Sequence, residues 1–195
     1  EAADDADAAS RVVAMAREGR VTVILKGFLP TATLLKPCLD KETGLRTGRL
    51  LSDILLVEQP VGEKGLLGMT DGGVAISPDF DQKCQIIENA VSVFHALGYE
   101  EPRVGVMAAK ETVSEKMPAT VDAQRLTEHN RNGGLPGCRV YGPLALDIAV
   151  SREAAEHKGI TDPVAGHVDI MVMPNIESGN ILGKAFTYFL RKPVA

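Results

Sequence analysis

Three short stretches of this sequence combine glycines with polar or charged side chains, as loops that bind ligands often do. They are residues 26–31 (KGFLPT), 70–73 (TDGG) and 174–184 (PNIESGNILGK). In the third stretch, Gly179 lets a ligand approach the backbone, Asn180 donates and accepts hydrogen bonds, and Lys184 is expected about one turn into a helix. This pattern predicts a phosphate site. The alternative is that Gly179 and Asn180 form only a turn and a helix cap.

A phosphate site needs more positive charge than the third stretch supplies. The partial charge at a helix end contributes only about 0.3 to 1 kcal/mol to the binding of a surface anion. Lys184 is therefore expected to act together with a second cation, either Lys26 of the first stretch or Lys36, which follows that stretch.

Other motifs are excluded by their spacing. The run from Gly179 to Lys184 has three residues between its glycines where a P-loop has four, and Ala185 stands in place of Ser or Thr. No G-x-G-x-x-G fingerprint occurs, and the four histidines are never paired at helical spacing, so we expect neither a dinucleotide fold nor a metal site. Asp147 is either a base or a favourable partner of a helix dipole.

The elements that position these stretches alternate between strands and helices. Hydrophobic periodicity predicts helices over residues 8–18, 31–39, 79–97, 121–130, 144–157 and 179–190, with Thr31 or Thr33 capping the second. Apolar runs predict strands over residues 21–25, 54–57, 66–70, 104–108, 139–142 and 168–173, the second and third joined as an antiparallel hairpin through residues 60–65. Repeated βαβ units predict an α/β fold with a mostly parallel sheet and helices on both faces. Such sheets bind ligands beyond the carboxyl ends of their strands.

Composition excludes several classes of partner. The net charge is -5 and no basic run occurs, so nucleic acid is not expected, and no apolar run approaches the ~20 residues of a membrane span. Three cysteines without a C-x-x-C pair indicate a reducing, cytoplasmic location. The chain starts at Glu1 rather than Met and stops just after a predicted helix, so we expect both true termini to be absent.

Together these segments resemble the phosphate acetyl/butyryltransferase family, most closely its phosphate butyryltransferase branch. The matching stretches follow the family order over nearly the whole chain. They are Lys26-Gly27 with Thr31, residues 41–48 (KETGLRTG), 70–79 (TDGGVAISPD), 116–118 (KMP), 142–147 (GPLALD), 162–166 (DPVAG) and 174–181 (PNIESGNI) with Lys184.

The resemblance implies a two-domain fold like that of isocitrate and isopropylmalate dehydrogenases, with the active site in the cleft between domains. Residues 1–45 would be the remnant of an incomplete first domain, and residues 46–195 the second. Family members exchange an acetyl- or butyryl-type group between coenzyme A and phosphate without a cofactor or metal, and a homodimer or larger assembly is implied.

The resemblance also assigns roles to residues. Asn180 and Lys184 are implied as catalytic. Substrate-binding positions are implied at Lys26, Gly27, Thr31, Lys36, Thr70, Asp71 and Gly179. Of these, Thr31 and Lys36 would face the acyl phosphate from the first domain.

The sequence departs from the family pattern at three points. Lys36 stands where acetyltransferase relatives carry arginine, and Asn175 stands where aspartate is usual. The family's Ser-Arg segment, which helps to activate the thiol, has no counterpart before Ala195, so we expect the 195-residue chain alone to be inactive. Two alternatives stay open: a metal- and NAD-dependent decarboxylating dehydrogenase of the same architecture, and a non-catalytic acyl-CoA-binding homologue that Asn175 would suit.

Overall fold

The computed structural model describes residues 2–60 and 65–195 and divides the chain into two compact units, residues 1–49 and 50–195. The sequence placed this boundary four residues earlier, after residue 45. That the first unit is the remnant of a larger domain stays a prediction. None of the helices within the described ranges is long and apolar enough to cross a membrane.

The first unit consists of two helices and extended chain. Helix α1 (Asp5–Arg17) begins three residues before its predicted start, because the side chain of Asp4 caps it by accepting from the N–H of Asp7. Helix α2 (Thr31–Cys38) has Pro30 as its N-cap residue and no side-chain cap. The predicted threonine cap of α2 is therefore wrong, since the fixed backbone angle of Pro30 starts the helix instead.

The apolar run over residues 21–25 does not form the predicted strand. Val23 is 79% exposed and Leu25 is 93% exposed. A strand needs hydrogen bonds from a neighbouring strand and a covered face, and within the described part of the first unit this run has neither. Its β-branched composition is therefore not enough to make it a strand here.

The second unit is built on a five-stranded sheet. Its strands are β1 (Leu55–Glu58), β2 (Leu66–Thr70), β3 (Arg103–Met107), β4 (Arg139–Leu144) and β5 (Ile170–Val172), in the order β1-β2-β5-β3-β4. β1 pairs antiparallel with β2, and the other three pairings are parallel. The mostly parallel sheet and the antiparallel pair are thus confirmed. Most of the predicted connection of this pair, residues 61–64, lies outside the described residues.

Helices cover both faces of this sheet, as predicted. One face packs against α3 (Phe80–Ala96) and α4 (Pro118–Arg131). Phe94 and Leu126 belong to the buried cluster on that face. The other face packs against the remaining helices, which are α5 (Leu146–Val150), α6 (Arg152–His157) and α7 (Ile176–Tyr188). Because Ile170, Met171 and Val172 alternate between the two clusters, β5 is buried on both sides.

Local sequence explains where two of these helices start. In α3 the side chain of Asp79 accepts from the N–H of Gln82, and the side chain of Gln82 accepts from the N–H of Asp79, which is a complete capping box. The single helix predicted over residues 144–157 is two helices. Ser151 adopts an extended backbone and caps α6 by accepting from the N–H of Ala154, so the chain turns there.

Candidate active site

The carboxyl ends of β2 and β5 form a topological switch point. The two strands are parallel neighbours, yet the chain leaves β2 for α3 on one face of the sheet and leaves β5 for α7 on the other. Crevices at such points are where open α/β sheets hold ligands. The second and third glycine-containing stretches of the sequence, residues 70–73 and 174–184, meet at this crevice.

The side chains of Thr70 and Asp71 hold the loop after β2 through hydrogen bonds to backbone groups. Thr70 is fully buried, and its hydroxyl donates to the backbone oxygen of Asp53. Asp71 is 2% exposed, and its carboxylate accepts from the N–H groups of Asp53, Gly73 and Val74 at 2.8 to 2.9 Å. The contact of Thr70 and Asp71 with substrate stays a prediction, since in the structure both side chains are buried and bond to backbone groups. Their polar atoms hold the loop in place.

Helix α7 begins earlier than predicted. Asn175 is its N-cap residue, and the side-chain oxygen of Asn175 accepts from both the N–H and the hydroxyl of Ser178. Gly179 and Asn180 therefore lie inside the helix rather than in a turn or cap. Lys184 is the ninth helical residue and lies about two turns from the start, not one.

Gly179 is required by the protein's own packing. A Cβ atom at this position would lie 2.5 Å from the backbone oxygen of Asp71 and 2.8 Å from the Cα of Gly72. The loop after β2 thus fills the space beside Gly179 where a ligand was predicted to approach the backbone. In addition, the side-chain amide of Asn180 donates to the carbonyl of Gly72 at 3.1 Å. Helix α7 and this loop therefore form one packed assembly.

The first turn of α7 has little capacity left for an anion. The N–H of Ile176 donates to the carbonyl of Ile76 at 3.0 Å, and Asn175 accepts from the N–H groups of Ser178 and Gly179. Glu177 adds a negative charge to the same turn. Positive charge for an anion bound along this helix must therefore come from a side chain, and Lys184 is the exposed cation of α7.

Asn180 and Lys184 share one exposed face of α7. They are four residues apart, so their side chains lie on the same side of the helix, one turn from each other. Both are exposed, and within the described residues Lys184 has no hydrogen-bond or ion-pair partner. Since the Asn180 amide has two N–H groups and one carbonyl, the bond to Gly72 leaves one donor and one acceptor open.

Asp53, which precedes β1, was not among the site residues predicted from the sequence. The antiparallel register pairs Leu55 with Met69, which places Asp53 opposite Asp71. Burial, and then the neighbouring charge of Asp71, raise the pKa of the Asp53 carboxyl above its usual range. A Cβ atom on Gly73 would lie only 2.9 Å from a carboxylate oxygen of Asp53. The predicted antiparallel hairpin could have pointed to Asp53. In such a hairpin the residue just before the first strand lies beside the residue just after the second strand.

The four predicted residues of the first unit are exposed, and their contact with substrate stays a prediction. The amine of Lys26 donates to the carbonyls of Gly27 and Leu29, so this cation stabilises its own loop. A methyl group on Gly27 would meet open space. Lys36 lines a groove of about 580 Å³ between α1 and α2. Thr31 does not line this groove, because five residues separate it from Lys36 and place it about 140° around the helix.

The described residues contain no group of three or more His, Cys, Asp or Glu side chains placed to hold a metal ion. Asp162 accepts from the N–H of Val164 and lies 3.5 Å from Arg131, whereas Asp169 pairs with Arg103. Asp147 is in the first turn of α5, where a carboxylate interacts favourably with the helix dipole, and a role as a base stays the other prediction.

Comparison with known proteins identifies a family model and close relatives. The model described as phosphate acetyl/butaryl transferase matches residues 3–191. The chain is 44% identical over 181 residues to a phosphate butyryltransferase of Clostridium acetobutylicum, covering 93% of this chain and 60% of the relative. It is 40% identical over 188 residues to a phosphate acetyltransferase of Rhizobium meliloti, covering 96% and 59%.

A solved structure shows the same architecture. A branched-chain phosphotransacylase from Enterococcus faecalis superposes with a TM-score of 0.86 at 34% identity, covering 99% of this chain and 68% of that structure. The chain thus spans about 60% of the length of the curated relatives that it matches.

Proposed function

The chain belongs to the phosphate acetyl/butaryl transferase family, and on this basis we propose that it takes part in acyl exchange between coenzyme A and inorganic phosphate. In this reaction a phosphate oxygen forms a bond to the thioester carbonyl carbon and the C–S bond breaks. The products are an acyl phosphate and the thiolate of coenzyme A, which then takes up a proton. Relatives named for butyryl and for acetyl transfer both match, which supports a short acyl group.

The observation that carries this proposal is that Asn180 and Lys184 lie one turn apart on the same exposed face of α7. The tetrahedral intermediate bears negative charge on the former carbonyl oxygen, and the attacking phosphate is itself an anion. Fixed donors and cations stabilise such charge most when they are held in place before the reaction. We assign the open N–H of Asn180 to the carbonyl oxygen and the ammonium of Lys184 to the phosphate.

The remaining predicted residues take different roles in this proposal. Gly179, Thr70 and Asp71 support the assembly that presents Asn180. Lys26, Gly27, Thr31 and Lys36 stay predicted substrate contacts of the first unit. The reaction needs no cofactor, because coenzyme A and phosphate are themselves the substrates.

Neither alternative reading gains support. A metal-dependent dehydrogenase needs a cluster of carboxylates, and Asp162 and Asp169 are engaged with arginines on separate elements. A non-catalytic homologue was suggested by Asn175. In the structure this residue caps α7, a role that asparagine and aspartate fill about equally well.

The test is a turnover assay on the product of the complete gene. Acetyl-CoA and butyryl-CoA are each mixed with phosphate, and free thiol and acyl phosphate are measured in parallel. Equal amounts of both products are expected. Oxidation of a hydroxy acid with NAD and Mg²⁺ would instead support the dehydrogenase, and calorimetric binding of acyl-CoA without turnover would support the non-catalytic homologue.

Three finer expectations belong with this proposal. A two-domain fold like that of isocitrate and isopropylmalate dehydrogenases and a homodimer or larger assembly stay predictions from the family resemblance. The cytoplasmic location stays a prediction from the cysteines. Light scattering of the purified protein tests the assembly state.

A further inference from the structure

Asp71 is a buried carboxylate whose hydrogen bonds all go to backbone. One carboxylate oxygen accepts from the N–H groups of Gly73 and Val74, both at 2.8 Å, and the other accepts from the N–H of Asp53 at 2.9 Å. The residue is 2% exposed. A single side chain thus ties the start of β1 to the loop after β2.

The loop that Asp71 holds is the surface on which α7 rests. The Cβ position of Gly179 would lie 2.5 Å from the backbone oxygen of Asp71, so helix and loop are in direct backbone contact. The carbonyl of Gly72, the next residue, accepts from the side-chain amide of Asn180 at 3.1 Å. The position of that carbonyl decides which way the Asn180 amide is turned.

We propose that Asp71 is a positioning residue for Asn180, acting through the Gly72 carbonyl to fix which N–H group Asn180 offers to the reacting carbonyl. This inference rests on the proposed acyl exchange and deepens it. In this proposal Asp71 acts through Asn180 and not on the substrate, so it is a positioning residue and not a catalytic one. Its effect reaches the reaction only through the orientation of one amide.

The substitution Asp71→Asn isolates this role. The amide has almost the volume of the carboxylate, but only one of its two ends accepts hydrogen bonds. Either Asp53 or the pair Gly73 and Val74 then loses its acceptor and meets an N–H group instead. A buried donor without a partner is costly, so the loop shifts and carries the Gly72 carbonyl with it.

The main experiment is a double-mutant cycle on the product of the complete gene, using Asp71→Asn, Asn180→Ala and the double variant. We expect Asp71→Asn to lower kcat about 10- to 100-fold, because small misplacements of a stabilising group have effects of that size. KM for acyl-CoA should stay within about threefold. The double variant should be no more than about threefold slower than Asn180→Ala, since the two changes remove the same interaction.

A matched control is Asp169→Asn. Asp169 is also a buried aspartate that accepts a backbone N–H, from Arg103 at 2.8 Å, but it lies at the amino-terminal edge of the sheet. We expect this variant to lose stability and to keep kcat within about twofold.

Two results would overturn the positioning role. One is that the losses of kcat in Asp71→Asn and Asn180→Ala multiply in the double variant, and the other is that Asp71→Asn raises KM for phosphate at unchanged kcat.

A second readout does not depend on turnover. The side-chain NH₂ signals of Asn180 in a ¹⁵N-correlated NMR spectrum are assigned by their disappearance in Asn180→Ala. They should shift and exchange faster with solvent in Asp71→Asn but not in Asp169→Asn. If the wild-type protein showed no acyl exchange, the proposed function would fail, and these signals would still decide the positioning: unchanged signals in Asp71→Asn refute it.

If Asp71→Asn does not fold, Gly179→Ala serves as the second variant. It leaves the Asp71 carboxylate intact but pushes helix and loop apart at their contact. The same shift of the Asn180 signals is expected, and unaltered signals would contradict the proposal.

Discussion

The side-chain amide of Asn180 donates a hydrogen bond to the carbonyl of Gly72 at 3.1 Å and so joins α7 to the loop after β2. Two segments more than a hundred residues apart in sequence meet at this contact, at the carboxyl edge of the sheet. On the same helix face, one turn further on, lies the exposed ammonium of Lys184. The proposed chemistry depends on this assembly staying packed.

Gly179→Ala should destabilise the second unit by about 2 to 4 kcal/mol, because the new methyl group would meet rigid backbone of Asp71 and Gly72. Gly183→Ala on the same helix is the matched control. Its methyl group would lie 3.1 Å from the flexible end of Met69, and alanine favours a helix over glycine by up to about 1 kcal/mol. Urea unfolding of both variants provides the comparison, and equal effects would contradict the packing described.

Much of the second unit follows from local sequence. Helix α3 was predictable because the Asp79 capping box and the apolar spacing agree, and β2 was predicted over the residues at which it is found. The start of α7 was misplaced because Gly179 was interpreted as a helix entry. In fact the glycine is there because the Asp71–Gly72 backbone passes beside it, a tertiary contact that no local pattern encodes.

Residues 21–25 illustrate a second limit. The run has the composition of a strand, yet pairing decides whether a strand forms, and this run lies outside the strands of the structure. Asp53 illustrates the opposite case. Its place beside Asp71 follows from the hairpin register, but it becomes a candidate only once that register is known.

The ion pair of Lys83 with Asp122 should be worth much more than the surface pairs. The two charged groups are 2.7 Å apart, and the Lys83 side chain is 5% exposed. Asp122→Asn leaves this buried ammonium without its counter-charge and should cost about 2 to 3 kcal/mol. Glu101→Gln is the control, because the Glu101–Arg139 pair is about half exposed on both sides and should be worth about 0.5 kcal/mol or less. If Asp122→Asn and Glu101→Gln lowered the free energy of unfolding by similar amounts, the buried pair would not be the stronger one.

Asp53 should make stability depend on pH. Its pKa is raised in the folded state by burial and by Asp71, so the folded protein holds this proton more tightly than the unfolded chain. The contribution of Asp53 to stability is therefore most favourable below the ordinary carboxyl pKa of about 3.9 and is lost as the pH rises through the raised value.

Asp53→Asn removes the cost of holding a buried negative charge beside Asp71 at neutral pH. The variant should be more stable than the wild type at pH 7, and the difference should shrink as the pH falls toward 4. Chemical unfolding of both proteins between pH 4 and pH 7 measures it. A difference that grows at lower pH would have the wrong sign for a carboxyl with a raised pKa.

The most direct test of the proposed function is the substitution Lys184→Met in the product of the complete gene, assayed by thiol release from butyryl-CoA in the presence of phosphate. Loss of the cation should lower kcat/KM about 100-fold or more, since fixed charges at the reacting groups have effects of this order. Lys158→Met is the control: this lysine is also exposed but lies at the end of α6, and its removal should change the rate by no more than about twofold. If Lys184→Met released thiol within about threefold of the wild-type rate while the control behaved as expected, the assignment of the reaction to this face of α7 would be wrong.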